Sequence, residues 1–308
     1  MAEADEASTR RSARPICIPI LGMHRSGTSA LTRVVNLLGA SLGGNLMGAT
    51  PANPRGHWER LDVYDLHQTI LSELGTSWDD WRSVDPALLT GPRGQTWRAR
   101  LAHLLQAEFA GTPLFAIKDP RTCRLLPLWK AAVEDAGFDM RPMLTIRNPL
   151  EVADSLNRRE PIRREAAIRT WLTHVLEAEH HSRGLRRAFV TYEGLLQDWA
   201  GTMTAAARHL AIVWPRIDEP ITRRVVALFL NPGDRHHAYP MTRLPEDALE
   251  EAAMQVYAAL IEASKQTASD GDVSAAFDQT TESCRALLDV QLSKRSMVID
   301  MDSKPADQ

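Results

Sequence analysis

The sequence predicts an α/β fold, a P-loop-like parallel β-sheet flanked by helices on both faces, with a helical C-terminal segment. Three observations predict it. Short apolar runs rich in β-branched residues alternate with stretches of helical spacing, the pattern of a parallel sheet covered on both sides. The first run ends in a Gly-bounded loop that opens straight into a helix. The 308 residues are 44% apolar and 24% charged, which supplies a sizeable core and places the chain among globular proteins.

The elements follow in order. Residues 1–14 are polar, mixed in charge and expected to be disordered. Pro15 to Leu21 has a strand's length and ends at Gly22; Thr28 to Leu38 has Leu31, Val34, Val35 and Leu38 on one helical face, with Gly39 where a C′ glycine stands. The Gly-, Pro- and Asn-rich stretch 40–60 reads as a long loop, a length that usually carries function. Helices are expected at 63–74 and 97–109, a strand at 113–117, a helix at 125–136 closing on Gly137, and a strand at 142–146. Pro149 suits the first position of a helix over 150–159. A helix at 166–181, a strand at 188–191 and a helix at 195–210 complete the alternation, followed by an irregular stretch, 231–240. With no repeat and no clear linker, 15–292 is expected to be one domain, with 245–292 a helical C-terminal appendage and 293–308 a polar tail.

Composition excludes several classes. The net charge of −3 argues against a nucleic-acid binder. Cys17, Cys123 and Cys284 are widely spaced and form neither a disulfide framework nor a metal-ligand pattern, so no metal is expected. The N-terminus lacks the apolar core of a secretory signal, and no run is long enough for a membrane span. The expectation is a cytoplasmic protein; whether it forms a homo-oligomer is left open.

Ligands of such sheets bind beyond the carboxyl ends of the strands. There the sequence places Gly22 to Ser29, Lys118 to Arg121, Arg147 to Pro149, and Tyr192 with Glu193. Gly22-Met-His-Arg-Ser-Gly27-Thr28-Ser29 nearly matches the nucleotide-binding pattern GxxxxGK[ST]. Thr28 stands where the Lys should be, which counts against ATP chemistry. Arg25 offers a fork donor suited to phosphate or sulfate, and the loop's N–H groups and helix N-terminus form an anion site.

His24-Arg-Ser-Gly-Thr-Ser-Ala-Leu31 resembles the 5′-phosphosulfate loop of the sulfotransferase family, in particular the soluble bacterial members with a GMHRSGTS loop. Three further segments, 118–121, 147–155 and 192–196, fall in the family's order, over roughly residues 16–240. The resemblance implies that His24, Arg25, Ser26, Gly27, Thr28 and Ser29 bind the donor, 3′-phosphoadenosine 5′-phosphosulfate (PAPS), and that Arg147 and Ser155 of Arg147-Asn-Pro-Leu-Glu-Val-Ala-Asp-Ser155 hold its 3′-phosphate. It places Tyr192, in Tyr192-Glu-Gly-Leu-Leu196, near the adenine; a strand-end Tyr packed in the core is the alternative. In Lys118-Asp-Pro-Arg121 it places Lys118 beside the transferring group; Pro120 occupies the place of the catalytic His of animal cytosolic members, and Asp119 and Arg121 are candidate substrate residues. In Asn53-Pro-Arg-Gly-His-Trp-Glu59 it implies Glu59 as the base, with His57 and Trp58 near the acceptor. An acid ahead of a helix is the other reading of Glu59, and His57 and His67 compete with it on residue type.

The implied activity is metal-independent, in-line sulfuryl transfer from PAPS to a hydroxyl or amine of a small molecule or glycan, releasing adenosine 3′,5′-bisphosphate (PAP). The alternatives are an ATP-dependent small-molecule kinase and a non-catalytic binder of the bisphosphate. Arg235, His236 and His237 resemble a basic segment on the family's C-terminal side, and Arg158, Arg159, Arg163 and Arg164 form a cluster that steers anions or is a solvated helix end.

Overall fold

The computed structural model describes residues 14–51, 53–230, 239, 244–265, 273–275, 277–282, 284, 287 and 288. The expected segment 231–240, with Arg235, His236 and His237, lies outside the described residues except for Tyr239. The sheet is built from β1 (Ile16–Leu21), β2 (Leu114–Lys118), a two-residue β3 (Asp139–Met140), β4 (Met143–Ile146) and β5 (Ala188–Thr191). Its order is β2-β1-β4-β5, with β3 beside the start of β1, and every pairing is parallel. The expected α/β class and its parallel sheet are therefore present.

Alternation along the strands divides the core into two layers. Cys17 and Leu21 of β1, with Phe115 and Ile117 of β2, face one layer. There they meet α2 (Leu61–Glu73), α4 (Pro92–Phe109), α5 (Leu126–Asp135), α6 (Pro149–Arg159) and α7 (Arg164–Ser182). Ile18 and Ile20, with Leu114 and Ala116, face the other, against α1 (Thr28–Leu37), α9 (Trp199–Leu210) and α10 (Pro220–Phe229). Helix α11 (Ala248–Lys265) packs into the first layer through Leu249, Val256 and Leu260.

Local chemistry explains most boundaries. Gly39 closes α1 at φ 110°, with the Ala40 amide donating to Val35 O and the Gly39 amide to Asn36 O. The Asn148 side chain accepts from the Leu150 amide and starts α6 with Pro149 in its first turn. The helix expected over 195–210 is two helices. Thr191 caps α8 (Tyr192–Gln197), and Asp198 ends it and caps α9. The expected 97–109 helix begins earlier, at Pro92, after a short α3 (Pro86–Thr90) capped by Asp85.

Candidate active site

The loop between β1 and α1 carries left-handed residues at Arg25 (φ 68°) and Gly27 (φ 92°). Left-handed residues in a turn draw backbone N–H groups toward one concave face, an anion-binding arrangement. Gly27 has a second reason to be glycine, because an added Cβ would lie 2.3 Å from Cδ2 of Tyr192. For Arg25 the conformation costs energy, as a non-glycine residue seldom adopts it. Two contacts hold it there. The Arg147 guanidinium donates to the Arg25 carbonyl (2.9 Å), and Arg25 Nε donates to Ser155 Oγ (3.0 Å).

A cavity of about 360 Å³ opens over this loop. His24, Arg25, Gly27, Thr28 and Ser29 form its floor. The segment Asn53 to Glu59 lines its wall, together with Lys118, Arg147, Arg159, Tyr192 and Phe229. The wall segment is pinned locally. Asn53 Nδ2 donates to Gly56 O (2.8 Å) and Ser29 Oγ (3.2 Å), while Gly56 and Trp58 take positive φ. Arg33 packs over the Trp58 ring at 4.7 Å, and Arg55 donates to the Phe229 carbonyl across the rim.

Deep in the cavity, Lys118 Nζ donates to a carboxylate oxygen of Glu59, to His57 O (3.2 Å) and to Ser29 Oγ (3.3 Å). Lys118 and Glu59 are each only 4% exposed, so this is a buried ion pair. The other oxygen of Glu59 lies 4.0 Å from Arg121. Sequence reasoning placed each of these two residues near the reacting group but did not foresee the bond between them.

Electrostatics favour an anion. Burial, then the proximity of Arg159 and Arg147, holds the Arg25 guanidinium below its ordinary value. Burial, with Arg121, Lys118 and His174 nearby, pushes His24 well down, so its ring is neutral and packs against Trp78 at 4.5 Å. Burial likewise lowers His57, whose Nε2 lies 2.8 Å from Thr50 Oγ1.

The remaining residues singled out from sequence fall elsewhere. Ser26 is buried beneath the loop, and Ser155 sits behind Arg25; neither lines the cavity. Asp119 and Arg121 also lie off its wall. Asp119 caps the 3-10 turn Pro120–Cys123 and accepts from Arg121 (3.0 Å), whose guanidinium covers the Tyr64 ring. Burial alone would raise the Asp119 carboxyl, but Arg121 and the His67 ring, 3.2 Å away, hold it below the usual carboxylate range. Two-residue alternation explains the split: Lys118 points to the α1 side and Asp119 to the α2 side. His67 is fully buried and accepts from the Trp129 indole (2.8 Å), so it has no access to the cavity. Of the basic cluster, Arg159 lines the cavity, while Arg164 pairs with Asp154 and Glu250. Arg55, Arg159 and Phe229 are cavity residues to which the motifs assigned no role.

No protein-family model and no curated protein sequence matches the chain. Its fold is similar to solved sulfotransferase domains. One comes from the olefin synthase of Synechococcus PCC 7002, at 17% identity over 82% of this chain and 96% of that one, with a TM-score of 0.46. A second belongs to the curacin biosynthetic pathway, at 16% identity over 79% and 97%, with a TM-score of 0.43. A sulfotransferase from Mycobacterium tuberculosis matches at 15% identity over 83% and 80%, with a TM-score of 0.37. Likeness at this level concerns the path of the chain and carries nothing about ligand or reaction.

Proposed function

We propose that this chain is a sulfotransferase that moves a sulfuryl group from PAPS to a hydroxyl or amine of a small molecule or glycan. The observation that carries the reading is a cavity with two chemically distinct ends. At one, Arg25, Arg147 and Arg159 gather around the loop between β1 and α1, a setting for a polyanionic nucleotide. At the other, a buried Lys118–Glu59 pair offers a cation and a carboxylate within one hydrogen bond of each other.

The chemistry needs both ends. In an in-line displacement the acceptor oxygen forms a bond to sulfur as the bond from sulfur to the 5′-phosphate oxygen breaks. The leaving oxygen gains negative charge, which Lys118 and the loop amides at 27–29 stabilise. The acceptor gives up its proton to the Glu59 carboxylate, and PAP departs with the electron pair. Lys118 cannot serve both partners equally. A donor anion arriving beside Ser29 competes for the ammonium, and each step of Lys118 toward the donor frees a Glu59 oxygen for the acceptor's hydrogen bond.

Thr28 supports this reading over a kinase, since it is 3% exposed and its methyl faces Gly22, leaving the loop without the lysine that ATP binders use. Thermal shift with PAP against ATP–magnesium tests the assignment. Stabilisation by the bisphosphate alone is expected, and stabilisation by ATP–magnesium alone would overturn it.

A further inference from the structure

Helix α6 presents one stripe of residues four apart to the loop and cavity. Glu151, fully buried, accepts from Arg147 Nε (3.0 Å) and, on its other oxygen, from the Tyr239 amide (3.0 Å). One turn on, Ser155 accepts from Arg25 Nε (3.0 Å). One turn further, Arg159 is the residue of α6 that lines the cavity.

The three guanidinium groups are engaged differently. Arg147 has its Nε on Glu151, a terminal nitrogen on the Arg25 carbonyl, and its face on the Tyr192 ring at 4.9 Å. It braces the loop. Arg25 is fixed by Ser155 at the loop's left-handed turn. Arg159 is paired with its sequence neighbour Glu160, Nε to Oε1 at 2.7 Å, and the two side chains are 23% and 32% exposed. The pair joins sequence neighbours and stays partly open to water, so a better-placed dianion displaces it. The nearness of Arg159 and Arg147 disfavours the charge on Arg25, a crowding that a bound anion relieves.

We propose that Arg159 determines specificity for the second phosphate of the donor: its guanidinium engages the 3′-phosphate of a nucleoside 3′,5′-bisphosphate, while Arg147 acts mainly as a brace for the loop. The proposal rests on the donor assigned to this site. It moves the main 3′-phosphate contact from Arg147 and Ser155, where family resemblance puts it, to the next turn of the same helix.

Calorimetry on the full chain tests it with adenosine 3′,5′-bisphosphate and adenosine 5′-monophosphate as ligands. Wild type is expected to prefer the bisphosphate. Arg159→Gln should weaken bisphosphate binding by about 10- to 100-fold, the loss of a charge-assisted phosphate contact, and leave monophosphate binding within about 2-fold. Arg159→Lys keeps the charge without the fork and should fall between. Glu160→Gln frees Arg159 and should leave bisphosphate binding equal or tighter. If Arg159→Gln weakens both ligands alike, or neither, the proposal is overturned while the donor assignment stands. If wild type binds the two ligands equally, the donor assignment itself fails, and the proposal with it.

Discussion

Glu59→Gln changes a single atom where Lys118, Ser29 and His57 meet, and its effects follow from burial. Both members of the Lys118–Glu59 pair are 4% exposed, and removing one partner of a buried pair costs about 3–5 kcal/mol. The lower end applies here. Lys118 keeps the His57 carbonyl at 3.2 Å and the Ser29 hydroxyl at 3.3 Å, and the amide retains an acceptor oxygen. A loss of about 3 kcal/mol lowers the melting temperature of a 308-residue chain by roughly 5 °C. The amide cannot take a proton, so turnover should fall about 10²–10⁴-fold. Donor affinity should move the other way, because Lys118, relieved of its counter-ion, presents its full charge to an arriving anion. Thermal melts, calorimetry with PAP and initial rates on one preparation give all three readouts. An acid that merely supported α2 would contribute about 0.3–1 kcal/mol of stability and leave turnover intact. Turnover within tenfold of wild type, or loss of PAP binding, would refute the reasoning. The double variant Glu59→Gln/Lys118→Met removes both buried charges, so it should melt closer to wild type than Glu59→Gln does and remain inactive.

Other expectations concern the scaffold of the site. Gly27→Ala puts a methyl into the Tyr192 ring at a positive φ, so PAP binding should be lost in calorimetry even where circular dichroism shows a folded chain. Arg147→Ala removes the ion-pair partner of the fully buried Glu151 carboxylate, which keeps the Tyr239 amide, and should cost about 3 kcal/mol in urea unfolding, a stability loss that Arg159→Gln should not share. Burial raises the Glu177 carboxyl from 4.5 to about 7, with Arg124 pulling the other way. The folded state therefore holds an extra proton between those values, and the stability this gives is lost as pH rises through about 7. Relative to wild type, Glu177→Gln should gain stability between about pH 5 and pH 8, and a pH-independent difference would contradict this linkage.

Much of the fold was legible because its signals are local. The apolar runs at 16–21 and 143–146 leave few alternatives to buried strands, and Gly39, Gly137 and Pro149 mark helix ends by their own backbone preferences. The break at Asp198 was missed because the apolar periodicity runs through it, although Thr191 and Asp198 both carry the cap chemistry. The two-residue β3 has no pattern long enough to read. In the site, the loop could be read because its residues are contiguous. The Lys118–Glu59 bond joins residues 59 positions apart and exists only once β2 and the 53–59 wall are packed. Asp119 and Arg121 shared a motif with Lys118 but follow the alternation of the chain to the other side. His67 illustrates the same limit: only burial separates it from His57 as a candidate base. Arg159 was visible as one of a charged cluster, yet its place on the stripe with Glu151 and Ser155 depends on what each of those residues holds.

The most direct test of sulfuryl transfer is to incubate the purified chain with sulfur-labelled PAPS and an extract of its own host, in the presence of EDTA. The account predicts label transferred to an acceptor with stoichiometric release of PAP, undiminished by the chelator and abolished by Glu59→Gln. Tight binding of PAP with no transfer of label would contradict it and leave a nucleotide-binding protein, and transfer that requires added magnesium would contradict the metal-free mechanism.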